Sequence, residues 1–257
     1  MDSRPFLSII IPTWNEQACL AGNLDTVVSY LRKQEYTSEV IVVDDGSTDA
    51  TTDVARAFVA EHADGPPLAL VENKHRGKGY AVRTGLLAGT GKYLLFTDAD
   101  LSTPIYEVGK MIGALEMGAD IAIGTRQGIG AERVDEPALR SALRRLFNLL
   151  VRLISGLPYR DTQAGFKGFR REVAQDLFQR VRLYGEGAKE VHGRALTAFD
   201  VEVLYLATRA GYRIEEIPVR WEHDPQSRHI PLRNAVRMLG DVIKVRWMAT
   251  QGAYETE

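Results

Sequence analysis

The feature that most constrains the fold is an alternation of short apolar runs with amphipathic helical patterns in the first part of the chain. The apolar runs 6–11, 39–43 and 68–72 have the length of strands, and the first two are rich in β-branched residues. The helical pattern after the first run places apolar residues at Leu20, Leu24, Val27, Val28 and Leu31. This order predicts an α/β fold with a doubly wound, mostly parallel central sheet flanked by helices.

Length and composition bound the class of protein without deciding it. A chain of 257 residues, 45% of them hydrophobic, is long enough for one large domain or two small ones. The net charge of −2 gives no indication of nucleic acid binding, and a single cysteine excludes an internal disulfide. Because no signal peptide opens the chain and no apolar run approaches ~18 residues, we expect no membrane-spanning helix.

Polar segments follow three of the predicted strands, at residues 12–16, 44–49 and 98–102. The carboxyl ends of parallel strands lie at one edge of a sheet, and ligands bind there, near the point where the strand order reverses. We therefore expect these segments to form one crevice. The alternative is that they are polar only because loops at that edge are polar in any sheet.

The most informative of these segments is Asp98-Ala99-Asp100, which ends the apolar run 92–97. Residues i and i+2 of a strand point to the same side, so the two carboxylates would leave the strand together. Such oxygen ligands suit Mg²⁺ or Mn²⁺, whose charge would neutralise a departing diphosphate. The other interpretation is that the aspartates only cap the helix predicted to begin near Pro104.

Two further segments at the same edge carry basic residues. Gly77-Lys78-Gly79 lacks the spacing of a P-loop, so Lys78 is either a phosphate contact or part of a surface cap. Arg126 follows the predicted strand 120–124, where a guanidinium suits a bidentate phosphate contact. The segment 127–137, with glycines, charges and little apolar content, predicts a loop or lid.

Two long amphipathic patterns, residues 138–157 and 231–248, combine apolar residues with arginines and lysines. In the first, leucines repeat at helical spacing, whereas Arg140, Arg144 and Arg152 fall on another stripe. Such a helix either packs its apolar face on the domain or lies in the plane of a membrane surface, with its arginines at anionic head groups.

Five motifs in order resemble family 2 glycosyltransferases with the GT-A fold, which is Rossmann-like. They are residues 11–16, 42–49, 77–79, 98–100 and 123–126. Within that family, residues 98–104 and 161–167 are most similar to the dolichyl-phosphate glucosyltransferases, with the dolichyl-phosphate mannose synthases close by. The resemblance runs from about Phe6 to Arg228 and implies a catalytic domain over residues 1–228. The amphipathic pattern that follows predicts a basic amphipathic extension over residues 229–257, without a transmembrane helix.

The resemblance also implies inverting transfer of glucose from UDP-glucose to a polyprenyl phosphate, with Mg²⁺ or Mn²⁺ as cofactor. Asp100 would be the direct metal ligand, and Asp98 would face the ribose or the metal. The other implied contacts with the nucleotide-diphosphate sugar are Pro12, Trp14, Glu16, Val43, Asp45, Lys78, Ala99, Ser102 and Arg228. The acceptor phosphate would be bound by Arg126, Arg140 and Arg144.

Several alternatives stay open. Ser102 stands where mannose synthases usually have glutamine, which favours UDP-glucose over GDP-mannose. A phosphate monoester, with a second pKa of ~6, needs no base, so Asp200 would orient the donor's hydroxyls. If the acceptor were instead a soluble or polysaccharide hydroxyl, Asp200 would be its general base. A nucleotide-sugar-binding protein without catalysis is disfavoured by the presence of Asp98, Asp100 and Arg126.

The location expected from these features is cytoplasmic, with peripheral attachment to the cytoplasmic face of a membrane through the basic amphipathic segments. No nucleic acid partner is expected. The sequence leaves the oligomeric state undecided.

Overall fold

The computed structural model describes residues 4–134, 138–193, 197–222 and 232–254. The strands are β1 (Leu7–Thr13), β2 (Ser38–Asp44), β3 (Leu68–Glu72), β4 (Tyr93–Thr97), β5 (Ile121–Thr125), β6 (Glu132–Val134), β7 (Phe166–Arg170), β8 (Ile214–Pro218) and β9 (Arg220–Glu222). The α-helices are α1 (Leu20–Leu31), α2 (Thr51–Glu61), α3 (Lys78–Ala88), α4 (Val108–Glu116), α5 (Ala138–Ser155), α6 (Arg171–Arg180), α7 (Phe199–Arg209) and α8 (Leu232–Thr250). A short 3₁₀ helix, Ile105–Glu107, precedes α4.

A seven-stranded sheet forms the centre of the molecule, in the order β3-β2-β1-β4-β7-β5-β8. All strands run parallel except β7, which is antiparallel to both of its neighbours. The chain adds β2 and β3 on one side of β1 and then returns to place β4 on the other side. The strand order therefore reverses between β1 and β4, and this is where an open α/β sheet forms a ligand crevice.

Side chains of the central strands alternate between two hydrophobic cores. On β1, Ile10 packs with α3, α6 and α7 on one face of the sheet, whereas Ile9 and Ile11 pack with α1 and α4 on the other. The five apolar residues predicted for the inner face of α1 are all buried. The predicted mostly parallel sheet flanked by helices is confirmed.

One predicted segment differs from the structure. The segment 127–137, expected to be a loop or lid, contains β6, and residues 214–222 form two further short strands, β8 and β9. β8 joins the main sheet, while β9 pairs in parallel with β6 in a separate two-stranded sheet. This pairing joins segments that are remote in sequence, so local patterns could not indicate it.

Helices α5 and α8 pack against each other, and α8 also packs against α7. Met238, Val242 and Val245 of α8 are buried in the core. The leucine stripe of α5 faces outward instead: Leu153 is 72% exposed and Leu146 is 54% exposed. In the described ranges, no helix combines the length and the apolar character needed to cross a bilayer.

Candidate active site

The loops after β1 and β3 meet at the crevice through an aromatic stack. The indole of Trp14 lies parallel to the imidazole of His75, with ring centroids 4.8 Å apart. His75 contacts Asp45 through Nδ1 at 2.7 Å and the carbonyl oxygen of Gly193 through Nε2 at 2.9 Å. The Asp45 carboxylate also accepts hydrogen bonds from both backbone N–H groups of residues 76–77. Asp45 therefore holds the loop that carries His75.

Asp98 lies directly after β4 and pairs with Lys78, the first residue of α3. Both side chains are about one-third exposed (37% for Asp98 and 36% for Lys78), so the pair lies at the surface of the crevice. The Asp98 carboxylate also lies against Gly165. A Cβ atom added to Gly165 would be only 2.0 Å from Oδ2 of Asp98. The lack of a side chain at position 165 therefore leaves room for this carboxylate.

Asp100 follows in a tight turn, where Oδ1 accepts a hydrogen bond of 3.0 Å from the backbone N–H of Ser102. Burial, and after it the charge of Asp98, raises the pKa of the Asp100 carboxyl above its ordinary value. Burial alone would lower the pKa of Lys78, but the charges of Asp98, Asp200 and Asp100 raise it. Additional positive charge would therefore stabilise the ionised form of Asp100.

The charged side chains of the crevice carry more negative than positive charge. Asp98, Asp100 and Asp200 interact with two lysines, Lys78 and Lys167. Within the described ranges, no cluster of three or more His, Cys, Asp or Glu side chains forms a complete metal site. Mg²⁺ often takes one or two protein carboxylates and completes its shell with substrate phosphates and water. Asp98 and Asp100 suit such a site, since they offer hard oxygen ligands and surplus negative charge.

Lys167 and Asp200 form a buried ion pair beneath the crevice. The Lys167 ammonium lies 2.5 Å from Oδ1 of Asp200 and 2.5 Å from the carbonyl oxygen of Ala164. Burial lowers the pKa of Lys167 and raises the pKa of Asp200, and the attraction between the two charges opposes both shifts. The sequence drew attention to Asp200 but assigned no role to Lys167.

Arg126 follows β5 and is held by Asp161. Its Nε donates to Oδ2 at 2.7 Å, and its Nη2 donates to Oδ1 at 2.8 Å. Burial works to raise the pKa of Asp161, but the guanidinium of Arg126 lowers this pKa to about 2. The charge of Arg144 on α5 acts in the same direction. The structure thus brings two of the three predicted acceptor-binding arginines to one carboxylate; the third, Arg140, has a side chain outside the described set.

The remaining residues that were predicted to contact the nucleotide-diphosphate sugar lie in different environments. The side chains of Pro12 and Val43 are buried in the sheet, so only their backbones could contact a ligand. Glu16 is half-buried on the loop after β1, and Ala99 is buried beside Asp98. Arg228 lies outside the described residues.

Several buried polar atoms at this edge of the sheet have no hydrogen-bond partner among the described residues. They include Nε1 of Trp14, Oγ1 of Thr97, Oγ1 of Thr162 and Nε2 of Gln163. Buried polar groups are normally paired, so unpaired ones next to a crevice indicate where polar ligand atoms can bind.

Three residues that shape the site were not predicted to do so: Asp161, Gly165 and Lys167. All lie in the segment 161–167, whose residues indicated only a similarity to the dolichyl-phosphate glucosyltransferases. The one local signal was a lysine inside the apolar run 166–169, because a charged residue in a buried strand needs a partner. His75 was also missed.

Open α/β sheets bind nucleotides and other ligands at the point where the strand order reverses, and in this mostly parallel sheet carboxylates and lysines lie at that point. The model of the family described as "Glycosyl transferase family 2" matches residues 8–178. The chain therefore belongs to glycosyltransferase family 2, as its motifs predicted.

Proteins named dolichyl-phosphate beta-glucosyltransferase are similar over almost the whole chain. The Homo sapiens and Saccharomyces cerevisiae proteins are each 33% identical, over 98% of this chain and 78% of the relative. The Dictyostelium discoideum protein is 30% identical, over 97% of this chain and 76% of the relative.

Solved glycosyltransferase structures share the fold. Glucosyl-3-phosphoglycerate synthase from Mycobacterium tuberculosis, in complex with Mn²⁺, UDP and glucosyl-3-phosphoglycerate, gives a TM-score of 0.64 at 20% identity, covering 96% of this chain and 80% of that structure. A mannosyltransferase from Pyrobaculum calidifontis, in complex with GDP-Man and Mn²⁺, gives a TM-score of 0.60 at 24% identity, covering 94% of this chain and 64% of that structure. The predicted GT-A fold is confirmed.

Proposed function

We propose that this protein transfers glucose from UDP-glucose to a polyprenyl phosphate, with inversion at the anomeric carbon. The observation that carries the proposal is the similarity to proteins named dolichyl-phosphate beta-glucosyltransferase, at 33% identity over 98% of the chain. The crevice supports it, because carboxylates, lysines and arginines lie at the sheet edge where nucleotides bind.

The donor would lie across the strand-order reversal. Trp14, with His75 stacked beside it, and Glu16 would form the wall for the base and ribose, together with the loop held by Asp45 and the backbones of Pro12 and Val43. Ala99 and Ser102 would lie next to the diphosphate, as would Arg228.

Asp100, assisted by Asp98, would hold a Mg²⁺ or Mn²⁺ ion, which when bound supplies positive charge to the departing diphosphate. The Lys78 ammonium contacts Asp98, so Lys78 would add a second positive charge beside the departing diphosphate. Two similar structures were solved with Mn²⁺.

The acceptor would be an ionised phosphate. One of its oxygens forms the new bond to the anomeric carbon, while the bond from that carbon to the diphosphate oxygen breaks and leaves its electron pair on UDP. No proton needs to be removed from the acceptor. Arg126, Arg140 and Arg144 would compensate its charge, and Asp200 would orient the hydroxyls of the sugar.

A membrane surface is the proposed source of the acceptor. The α5–α8 face, defined by the exposed apolar side chains of α5 and α8, carries exposed Arg145 and Arg152 and, on α8, exposed Lys244. Apolar side chains that enter the lipid boundary beside cations that meet anionic head groups are typical of peripheral membrane helices. We place the protein at the cytoplasmic face, with residues 1–228 as the catalytic domain and residues 229–257 as its membrane-facing extension.

A donor screen against one short polyprenyl phosphate tests the proposal. Radiolabelled UDP-glucose and GDP-mannose are compared with Mg²⁺ or Mn²⁺ and with EDTA, and the lipid product is quantified. We expect glucosyl transfer from UDP-glucose that stops with EDTA. Transfer from GDP-mannose alone would identify a mannosyltransferase. Transfer only to a free sugar, lost in Asp200→Asn, would indicate base catalysis, and UDP-dependent thermal stabilisation without turnover would indicate a binding protein.

A further inference from the structure

Lys167 is a charged residue in one of the most buried parts of the protein. It lies on β7 between β4 and β5, opposite Phe96 in the register of the sheet, and is only 1% exposed. Its neighbours on the strand, Phe166 and Phe169, are fully buried. A lysine in such surroundings lowers stability unless its ammonium is paired.

Three contacts fix the ammonium of Lys167. It donates to Oδ1 of Asp200 and to the carbonyl oxygen of Ala164, each at 2.5 Å, and it lies 5.4 Å from the centroid of the Phe96 ring. The Ala164 carbonyl belongs to the same segment as Gly165, which lies against the Asp98 carboxylate. The ammonium thus joins the first turn of α7 to the segment that lines the crevice.

Asp200 has one oxygen held and the other without a protein donor. Oδ1 accepts from Lys167, whereas Oδ2 accepts no hydrogen bond from the residues that the structure describes. Besides Lys167, the charges that act on this carboxylate are those of Lys78 on α3 and Asp98 after β4, both in the crevice. Lys167 also donates to the Ala164 carbonyl, next to the Gly165 that lies against Asp98, so Asp200 lies beside the crevice, and Oδ2 is the oxygen left to accept a hydrogen bond from a ligand.

A role in stability alone is a weak explanation for this pair. Removing two charges from water costs about as much as their attraction returns, and apolar residues of similar volume often serve a buried position equally well. What the pair does provide is a buried carboxylate that is fixed through one oxygen.

We propose that Lys167 is a positioning residue for the transferred sugar: by holding Oδ1 of Asp200, it directs Oδ2 to accept hydrogen bonds from the hydroxyls of the donor sugar. This inference rests on the proposed function, in which Asp200 orients those hydroxyls. Lys167 itself touches neither donor nor acceptor. Its effect reaches the sugar through Asp200 and leaves the nucleotide contacts unchanged.

The test separates sugar binding from nucleotide binding. Calorimetry measures the affinities for UDP-glucose and for UDP in the wild type, in Lys167→Met, in Asp200→Asn and in the double variant. Hydrogen bonds to charged groups contribute more to the free energy of binding than neutral ones do. We therefore expect either single substitution to weaken UDP-glucose binding by ~10-fold to ~100-fold. UDP binding should change by less than ~2-fold, and the double variant should match Asp200→Asn.

Tyr254→Phe provides the matched control. The Tyr254 hydroxyl donates to buried Glu202, two residues along α7 from Asp200, at 2.8 Å. Losing this bond loosens the same helix without touching Lys167, so the melting temperature should fall while the UDP-glucose to UDP affinity ratio stays at the wild-type value.

Lys167→Met leaves a buried carboxylate unpaired and can fail to fold, whereas in Asp200→Asn the amide oxygen can still accept a hydrogen bond from the Lys167 ammonium. The comparison of the double variant with Asp200→Asn then decides, since neither contains that carboxylate. A further loss of ~10-fold in UDP-glucose affinity in the double variant would overturn the inference, as would equal losses for UDP and UDP-glucose.

The outcomes for the two proposals are distinguishable. If the wild type transferred no sugar to the lipid phosphate in the donor screen, the proposed function would fail, and the inference with it. If the wild type showed sugar-dependent affinity and Lys167→Met kept it, only the role of Lys167 would be wrong.

Discussion

The crevice and the α5–α8 face differ in whether their side chains have partners within the protein. In the crevice, Lys78 pairs with Asp98, Lys167 with Asp200, and Arg126 with Asp161. On the α5–α8 face, by contrast, Leu153 is 72% and Trp247 is 61% exposed. The charged side chains of the crevice are held by partners within the protein, whereas the helical face exposes apolar side chains.

This difference indicates two kinds of partner. A small charged ligand gains from side chains that are already oriented, because little reorganisation accompanies its binding. An extended apolar surface with basic residues gains instead from transfer into a lipid boundary. The predictions below test whether the two regions are separable, beginning with the largest expected effect.

Removing the charge of Asp100 should damage the crevice most. We expect Asp100→Asn to lower the rate of glucosyl transfer ~10³-fold, since positive charge would no longer be held where the diphosphate departs. Initial rates measured with saturating Mg²⁺ test this, with the exposed Asp25→Asn on α1 as the matched control. Binding to lipid vesicles should be unchanged. A variant that kept a tenth of the rate would contradict this assignment of Asp100.

Gly165→Ala should disturb only the Asp98 carboxylate. The added methyl group would lie 2.0 Å from Oδ2 of Asp98, and the nearest atoms all belong to the end of that side chain. Because such an end can move at little cost in stability, we expect a nearly normal melting temperature and a kcat/KM lower by ~10²-fold.

Gly113→Ala on α4 is the control for this substitution. No atom lies within 4 Å of its added Cβ, so activity should be retained. Full activity of Gly165→Ala would mean that the position of Asp98 is not critical.

Asp161 should make the stability of the fold at acidic pH depend on its ion pair with Arg126. Its pKa is lowered from an ordinary value of 3.8 to about 2, so the folded state holds the ionised form more strongly than the unfolded chain does. This difference stabilises the fold by about 2 kcal/mol above pH ~4, and the contribution is lost as pH falls toward 2.

Urea unfolding of the wild type and Asp161→Asn at several pH values measures whether the stabilisation by Asp161 is lost as the pH falls. The variant should be less stable at neutral pH, because Arg126 loses its partner. The difference in free energy of unfolding between the two proteins should become smaller below pH ~4. A difference that stayed constant with pH would argue against ionised Asp161.

Leu146→Ser combined with Leu153→Ser should affect only the α5–α8 face. Each exposed leucine would lose apolar contact with lipid, so co-sedimentation with anionic vesicles should fall ~10-fold or more. Transfer to a short, water-soluble polyprenyl phosphate should keep its wild-type rate. Met117→Ser, at another position that is 73% exposed, is the matched control. Unchanged vesicle binding would mean that another surface contacts the membrane.

Local patterns were sufficient to predict most elements of the sheet and helices. The periodic residues of α1 are the buried ones, and the apolar run 39–43 lies within β2, where every residue except Glu39 is buried. Burial of one helix face or of a strand leaves a direct trace in sequence. β6 was missed because a three-residue strand has no such periodicity, and its partner β9 follows much later in the chain.

The candidate site was predicted less completely. Asp98, Asp100 and Lys78 could be recognised because they immediately flank a strand and a helix. Asp161 and Lys167 could not be given roles, because their partners, Arg126 and Asp200, are brought to them only when β7 is inserted antiparallel between β4 and β5. The amphipathic pattern of α5 left open which face would be buried.

The sequence by itself determined the α/β alternation, the edge of the sheet that carries the polar loops, and the family, since each of these depends on residues close together in the chain. Only the tertiary structure decided which charges are paired and that the leucine side chains of α5 that the structure describes face outward. Those outcomes depend on the positions of distant segments, because the energy of a buried charge or an exposed apolar face is set by its neighbours in space.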